Sequence, residues 1–168
     1  MNMPLDRRSF LAGVSCVSLV PRLASAEDYI DLEWSDLVPK GSDTIPPSML
    51  GFFNHEELPV SREQPQSSGI RTDWNGKIVR LPGFILPIDY SGTTVSAFIL
   101  VPFVGACVHV PPPPANQLVF VTAPEPYESS GLYEPVNVIG MFGAASMSTQ
   151  LADIGYALSA DRIEPFGS

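Results

Sequence analysis

The chain has 168 residues, enough for one ordinary domain, and carries 9 basic against 18 acidic side chains for a net charge of −9. Such a balance repels nucleic acid and anionic lipid, draws in cations, and serves solubility. Cysteine is scarce, with only Cys16 and Cys107 present.

Residues 1–26 read as an export signal and not as part of the fold. A basic start, Arg7-Arg8, precedes an apolar run over residues 10–20, and Ala24-Ser25-Ala26 supplies small residues for cleavage after Ala26. Arg7-Arg8-Ser9-Phe10-Leu11 resembles the twin-arginine signal, which predicts a periplasmic location. The apolar run falls short of the about 20 residues a spanning helix needs. A lipoprotein anchor at Cys16 would follow Gly13-Val14-Ser15, a poor approach. Removing the segment takes Arg7, Arg8 and Arg22 with Asp6, a net +2, and leaves about −11. It also removes Cys16, so Cys107 becomes the one thiol and no internal disulfide can form. In an oxidising compartment a lone thiol is buried, ligated, reactive or bonded to a partner.

Residues 27–75 are polar, acidic and proline-bearing, and read as an extended N-terminal arm. Trp34 and Leu37 are spaced to face one side of a short helical turn that Pro39 stops. Trp34, Phe52, Phe53 and Trp74 are the expected anchors of the arm.

Residues 76–168 read as a β-domain. A first strand covers 76–81, with Asn75-Gly76 as the turn before it, and a second covers 84–88 after an interruption at Pro82-Gly83. Asp89-Tyr90-Ser91-Gly92-Thr93 is a hairpin loop. Residues 95–101 are apolar on both faces and predict a central strand. Further strands are expected at 117–122, 136–143 and 156–163, with a short helical turn around 148–154. Short strands at near-even spacing predict an all-β fold, a small partly open five- to six-stranded barrel of OB-like type. Residues 97–110 lack charged acids and bases but are too short, and broken by Pro102 and Gly105, to span a membrane. No transmembrane segment is expected in the mature chain.

The most distinctive stretch is Cys107-Val108-His109-Val110 followed by Pro111, Pro112, Pro113 and Pro114. In an extended segment Cys107 and His109 point the same way. A thiolate and an imidazole on one face suit zinc or copper. The four prolines favour a polyproline II rod of roughly 12 Å that would hold the pair stiffly. Zinc needs three or four protein ligands. His55, in Asn54-His55-Glu56-Glu57 on the arm, is the candidate third, with Glu56 or Glu57 as a fourth. Against this stands a packed turn in which Cys107 is a small buried side chain. In that reading His109 or Asn116 bonds carbonyls that prolines leave without donors. A thiol enzyme using Cys107 is a further reading, with His109 as base and Asn116 orienting it. Parallel side chains at i and i+2 make a poor nucleophile–base pair, and the acidic charge opposes thiolate formation. Glu125, Glu128 and Glu134 surround a loop but match no calcium motif. No P-loop, zincin, nucleophile-elbow or dinucleotide fingerprint is present.

Three stretches together resemble an uncharacterised bacterial exported family, domain of unknown function 3299. They are Gly76-Lys77-Ile78-Val79-Arg80-Leu81-Pro82-Gly83-Phe84, Phe98-Ile99-Leu100-Val101-Pro102, and the run from Gly105 through Cys107, His109 and the prolines to Asn116-Gln117. Trp34-Ser35-Asp36-Leu37-Val38-Pro39 is similar to that family's opening, and the likeness spans roughly residues 30–166. The resemblance implies export, and an accessory role beside inner-membrane ABC-type transporter components, including zinc-linked systems. The expected function is therefore a periplasmic non-enzymatic accessory protein of such a transport system. Its metal site would be Cys107, His109 and His55, its cofactor zinc or copper, and its partners transporter components, not nucleic acid. The alternative is a metal-free interaction module docking through the Pro111 to Pro114 loop.

Overall fold

The computed structural model describes residues 28–41, 63–106 and 112–166. The expected signal segment, Phe52, Phe53, His55, Cys107 and His109 lie outside the described residues. Among the described residues six strands are formed: β1 (Ile30–Asp31), β2 (Lys77–Ser91), β3 (Thr94–Val101), β4 (Val119–Glu128), β5 (Pro135–Ser148) and β6 (Asp153–Pro165). Among the described residues, two single 3-10 turns, Trp34–Leu37 and Ala115–Gln117, join them. The described residues contain no α-helix, and none of their helices is long and apolar enough to cross a membrane.

The sheet order is β1-β2-β3-β4-β6-β5, and β2 also pairs with β5. The five long strands thus curl into a partial ring, all antiparallel except β4 beside β6. Ring closure depends on β2. Its first half, from Lys77 to Phe84, pairs with β5, and its second half, from Phe84 to Ser91, pairs with β3.

The sequence breaks β2 at Pro82-Gly83, yet the strand runs through. In an extended chain the nitrogen and carbonyl of one residue point to the same edge. The Pro82 carbonyl accepts the Trp34 indole N–H at 2.8 Å, so its donor-less nitrogen also faces the arm and not β5. No ladder bond is lost. Gly83 is required for another reason. A side-chain carbon there would fall 2.7 Å from Leu100 Cγ on the neighbouring β3.

The doubly apolar β3 serves two cores. Phe98 and Leu100 join the ring interior with Val79, Leu81, Ile85, Val121, Val138, Phe142, Tyr156 and Leu158. Ile99 and Val101 face outward onto Leu86, Ala106, Leu118, Ala152 and Ile154, where Phe84, Phe103 and Tyr133 pack. The loop after β3 therefore lies over the outer face and makes it a second interior. The expected helical turn at 148–154 is instead a hairpin. Met147 pairs with Ile154 and Ser148 with Asp153, and Thr149 closes the loop through its amide and hydroxyl, both donating to the Ala152 carbonyl.

The arm is built into the ring. Leu32 and Leu37 lie in the interior core, and Trp34 and Trp74 pack against it. In the 3-10 turn, the Asp36 carboxylate accepts the Glu33 amide at 2.9 Å, and Val38 ends the turn before Pro39. The buried Tyr156 hydroxyl of β6 donates to the Leu37 carbonyl at 2.6 Å and accepts the Arg71 amide at 2.8 Å. Burial holds this phenol above its ordinary pKa, against smaller lowering effects of Arg71, so it stays a donor. The Arg71 guanidinium reaches the Asp36 carbonyl at 2.9 Å, tying the two described pieces of arm together. The Arg80–Asp31 ion pair at 2.6 Å is exposed and contributes little.

Removing one hydroxyl tests this fastening. Tyr156→Phe keeps the ring contact with Phe142 at 5.0 Å but strands a carbonyl and an amide. It should lower unfolding stability by about 1–3 kcal/mol in a denaturant titration.

Candidate functional site

The Cys107-His109 stretch falls between two described ends, Ala106 and Pro112, and both are held. Upstream, Ala106 is fully buried, and its carbonyl accepts the Tyr133 hydroxyl at 2.6 Å. Downstream, Pro112, Pro113 and Pro114 are buried. Most of the expected stiff rod is thus packed into the fold and not offered outward. Prolines fit here because their extended geometry needs no donor, and their carbonyls can be served by side chains. The Gln64 amide does this, donating to the Pro113 carbonyl at 2.7 Å and the Asp153 carbonyl at 2.8 Å, while its oxygen accepts the Asp153 amide at 2.7 Å.

After the prolines the chain turns through Ala115–Gln117, where the Gln117 amide donates to the Pro114 carbonyl at 2.8 Å. Asn116 and Gln117 are buried polar side chains and must find partners. Asn116 donates to Ser68 Oγ at 3.1 Å and the Gly69 carbonyl at 3.0 Å. Gln117 donates to the Trp34 carbonyl at 2.9 Å. Asn116 thus binds a carbonyl of the arm, and not one beside the prolines, where Gln64 serves Pro113 instead. Gly155 lets this turn approach β6, since a side-chain carbon there would lie 2.7 Å from the Ala115 carbonyl oxygen.

The upstream clamp rests on a second small network. Glu134 accepts the Tyr127 hydroxyl at 2.8 Å, the Ser129 hydroxyl at 2.8 Å and the Ser130 amide at 2.7 Å. Partial burial opposes its ionisation, but these three donors outweigh that and hold the carboxyl below its usual range. Burial, then the hydrogen bond to Glu134, pushes the Tyr127 phenol up to about 12. With its oxygens so occupied, Glu134 is a loop staple and not a cation ligand beside Glu125 and Glu128. The stapled loop carries Tyr133 at a φ of 60°, the left-handed region that few non-glycine residues adopt, and this presents its hydroxyl to Ala106.

Among the described residues, no three histidine, cysteine, aspartate or glutamate side chains come together to hold a metal ion. Both histidines and both cysteines of the chain are outside those residues. Trp34, Trp74 and Tyr127 pack on the interior core and Tyr133 on the outer one. Trp74 also lies between Arg71 and Lys77, at 5.5 and 5.3 Å from its ring. Sequence reasoning missed Gln64 and Tyr133 as clamps of the proline loop. Neither carries a local signal, because each acts on a residue distant in the chain.

A family model described as a protein of unknown function (DUF3299) matches residues 34–165. The chain belongs to the DUF3299 family. A crystal structure of a DUF3299 family protein from Pseudomonas aeruginosa PAO1 is similar, with a TM-score of 0.67 and 34% identity over 83% of this chain and 97% of that one. A search of curated proteins found no match. The family's matched region takes in the Trp34 turn, the whole ring and the clamped loop.

The Glu134 staple has a pH signature. Its folded pKa lies below the ordinary 4.5, so its stabilisation is complete above that value and is lost as pH falls below it. Glu134→Gln should be less stable than wild type at pH 7, and the gap should close as the medium is acidified below about pH 4, read by urea midpoints across pH.

Proposed function

We propose that the protein is an exported, non-enzymatic accessory protein of an inner-membrane ABC-type transport system, acting in the periplasm. Its working part is the Cys107-His109 segment, which binds a transition metal, zinc before copper. The observation that supports this reading is the double fastening of that segment. Tyr133 holds the carbonyl before Cys107, and Gln64, Asn116 and Gln117 tie the chain after the prolines to the arm. A short segment with both ends fixed has little conformational entropy left to lose when it binds. That is what a metal site with few protein ligands needs. The arm that would bring His55 is itself anchored on both sides of that residue, at Leu37 and at Arg71. Sulfur and imidazole together favour zinc or copper over calcium or magnesium.

Burial of Pro112, Pro113 and Pro114 weighs against the metal-free reading in which the proline rod itself meets a partner. A transporter component would instead meet the segment from 107 to 111.

Elemental analysis of the protein purified without chelator should find close to one zinc or copper per chain. Cys107→Ser and His109→Ala should each lower that occupancy at least tenfold without altering the circular dichroism spectrum. Wild-type protein that stays metal-free after zinc titration would overturn the metal reading.

A further inference from the structure

β4 and β6 pair in parallel from Val119 with Tyr156 to Thr122 with Ser159. Beyond those pairs β4 runs on to Glu128 and β6 to Pro165. Between the two continuing stretches lies an open groove of about 570 Å³, lined by residues 123–128 and 160–163. That volume is in the range of small-molecule sites. Pro124 and Pro126 set two exposed rings along its β4 wall. In β6, Ala160 faces Gly140 and Arg162 faces Ile139, so Asp161 is an extra residue, and such a bulge re-aims a side chain.

The floor of the groove is apolar. Ala123 and Ala160 are buried, and Tyr127 and Ile163 are half-buried and pack on the interior core. The rim is acidic, with Glu125 and Glu128 exposed on the β4 wall and Asp161 on the β6 wall. The charge of Arg162 is already met by Glu164 at 2.8 Å. These acids do not gather at one point. Among the described residues no three acidic, histidine or cysteine side chains come together to hold a metal ion. A compact divalent cation therefore cannot take all three at once. A ligand that reaches them has its positive charges set apart along a body that accepts apolar contact. Residues 123–128 extend over about 17 Å, at about 3.3 Å per step, which is room for a linear chain.

We propose that this groove binds a linear aliphatic polyamine. Its ammonium groups meet Glu125, Glu128 and Asp161, and its methylene runs lie on the alanines, the proline rings and Tyr127. Each exposed ion pair contributes little alone, and the methylenes add apolar burial at about 25 cal/mol per Å². The two together select against a metal ion, which lacks the apolar body, and against a neutral alkyl chain, which lacks the charge. A second copy of this chain fits poorly, since its own charge of −9 would set acid against acid. Nucleic acid is repelled for the same reason. The proposal does not depend on the Cys107 segment.

The test titrates ¹⁵N-labelled protein, at constant ionic strength, with spermidine, with magnesium chloride and with octane-1,8-diol. Spermidine should bind saturably, with the largest amide shifts at residues 123–128 and 160–163. Magnesium and the diol should bind at least tenfold more weakly. Glu125→Gln with Asp161→Asn, both on exposed side chains, should weaken spermidine at least tenfold. Asp28→Asn with Asp89→Asn, exposed acids outside the groove, should leave its binding unchanged. Shifts that do not saturate or that spread over all the surface acids would overturn the proposal. So would equal binding of magnesium, which marks a counterion effect only, or of the diol.

Discussion

One hydroxyl ties both described pieces of the arm to the ring. Tyr156 stands in the ring interior and reaches both described pieces of the arm, at Leu37 and at Arg71. A phenol buried there has to make both bonds, because water cannot reach it. The apolar body of the residue packs on Phe142 while its polar tip fixes backbone. Leu32 and Leu37 also enter the core from outside the five long strands, so the arm cannot be treated as a tail. The arm then supplies the partners of Asn116 and Gln117, and so the placement of the loop that leads from the prolines into β4.

The constraint passes in the other direction through Glu134. A carboxylate with three donors orders the loop between β4 and β5, and that loop turns Tyr133 toward Ala106. The two supports of the Cys107 segment come from different places, one from the arm and one from the sheet. They agree only if the ring is closed, which depends on β2 changing partners at Phe84.

Much of the fold was legible because its signals are local. The apolar residues on both faces of β3 announced a central strand, and the Trp34–Leu37 turn followed from its spacing and from Pro39. β2 was misread as two strands because Pro82-Gly83 is a breaker by composition. Which edge a proline nitrogen faces depends on the neighbouring strand, and that is not written locally. The helical turn expected at 148–154 gave way to a hairpin because pairing of Met147 with Ile154 outweighs a weak helical pattern. At the site, the reading that Asn116 serves a carbonyl was correct in kind. Its partner Gly69, and the roles of Gln64 and Tyr133, rest on contacts far apart in sequence. The candidate ligands Cys107, His109 and His55 were chosen by residue chemistry, and the described structure bears on them through what grips the chain beside them.

The central claim is that the arm is a fixed component of the ring and of the clamp on the chain after Pro112. Native-state hydrogen exchange at the Arg71 amide, which donates to Tyr156, measures this directly. The account predicts that this amide exchanges only through global unfolding, with the same denaturant dependence as the amides of β3. Fast exchange at Arg71, insensitive to denaturant while β3 remains protected, would contradict it.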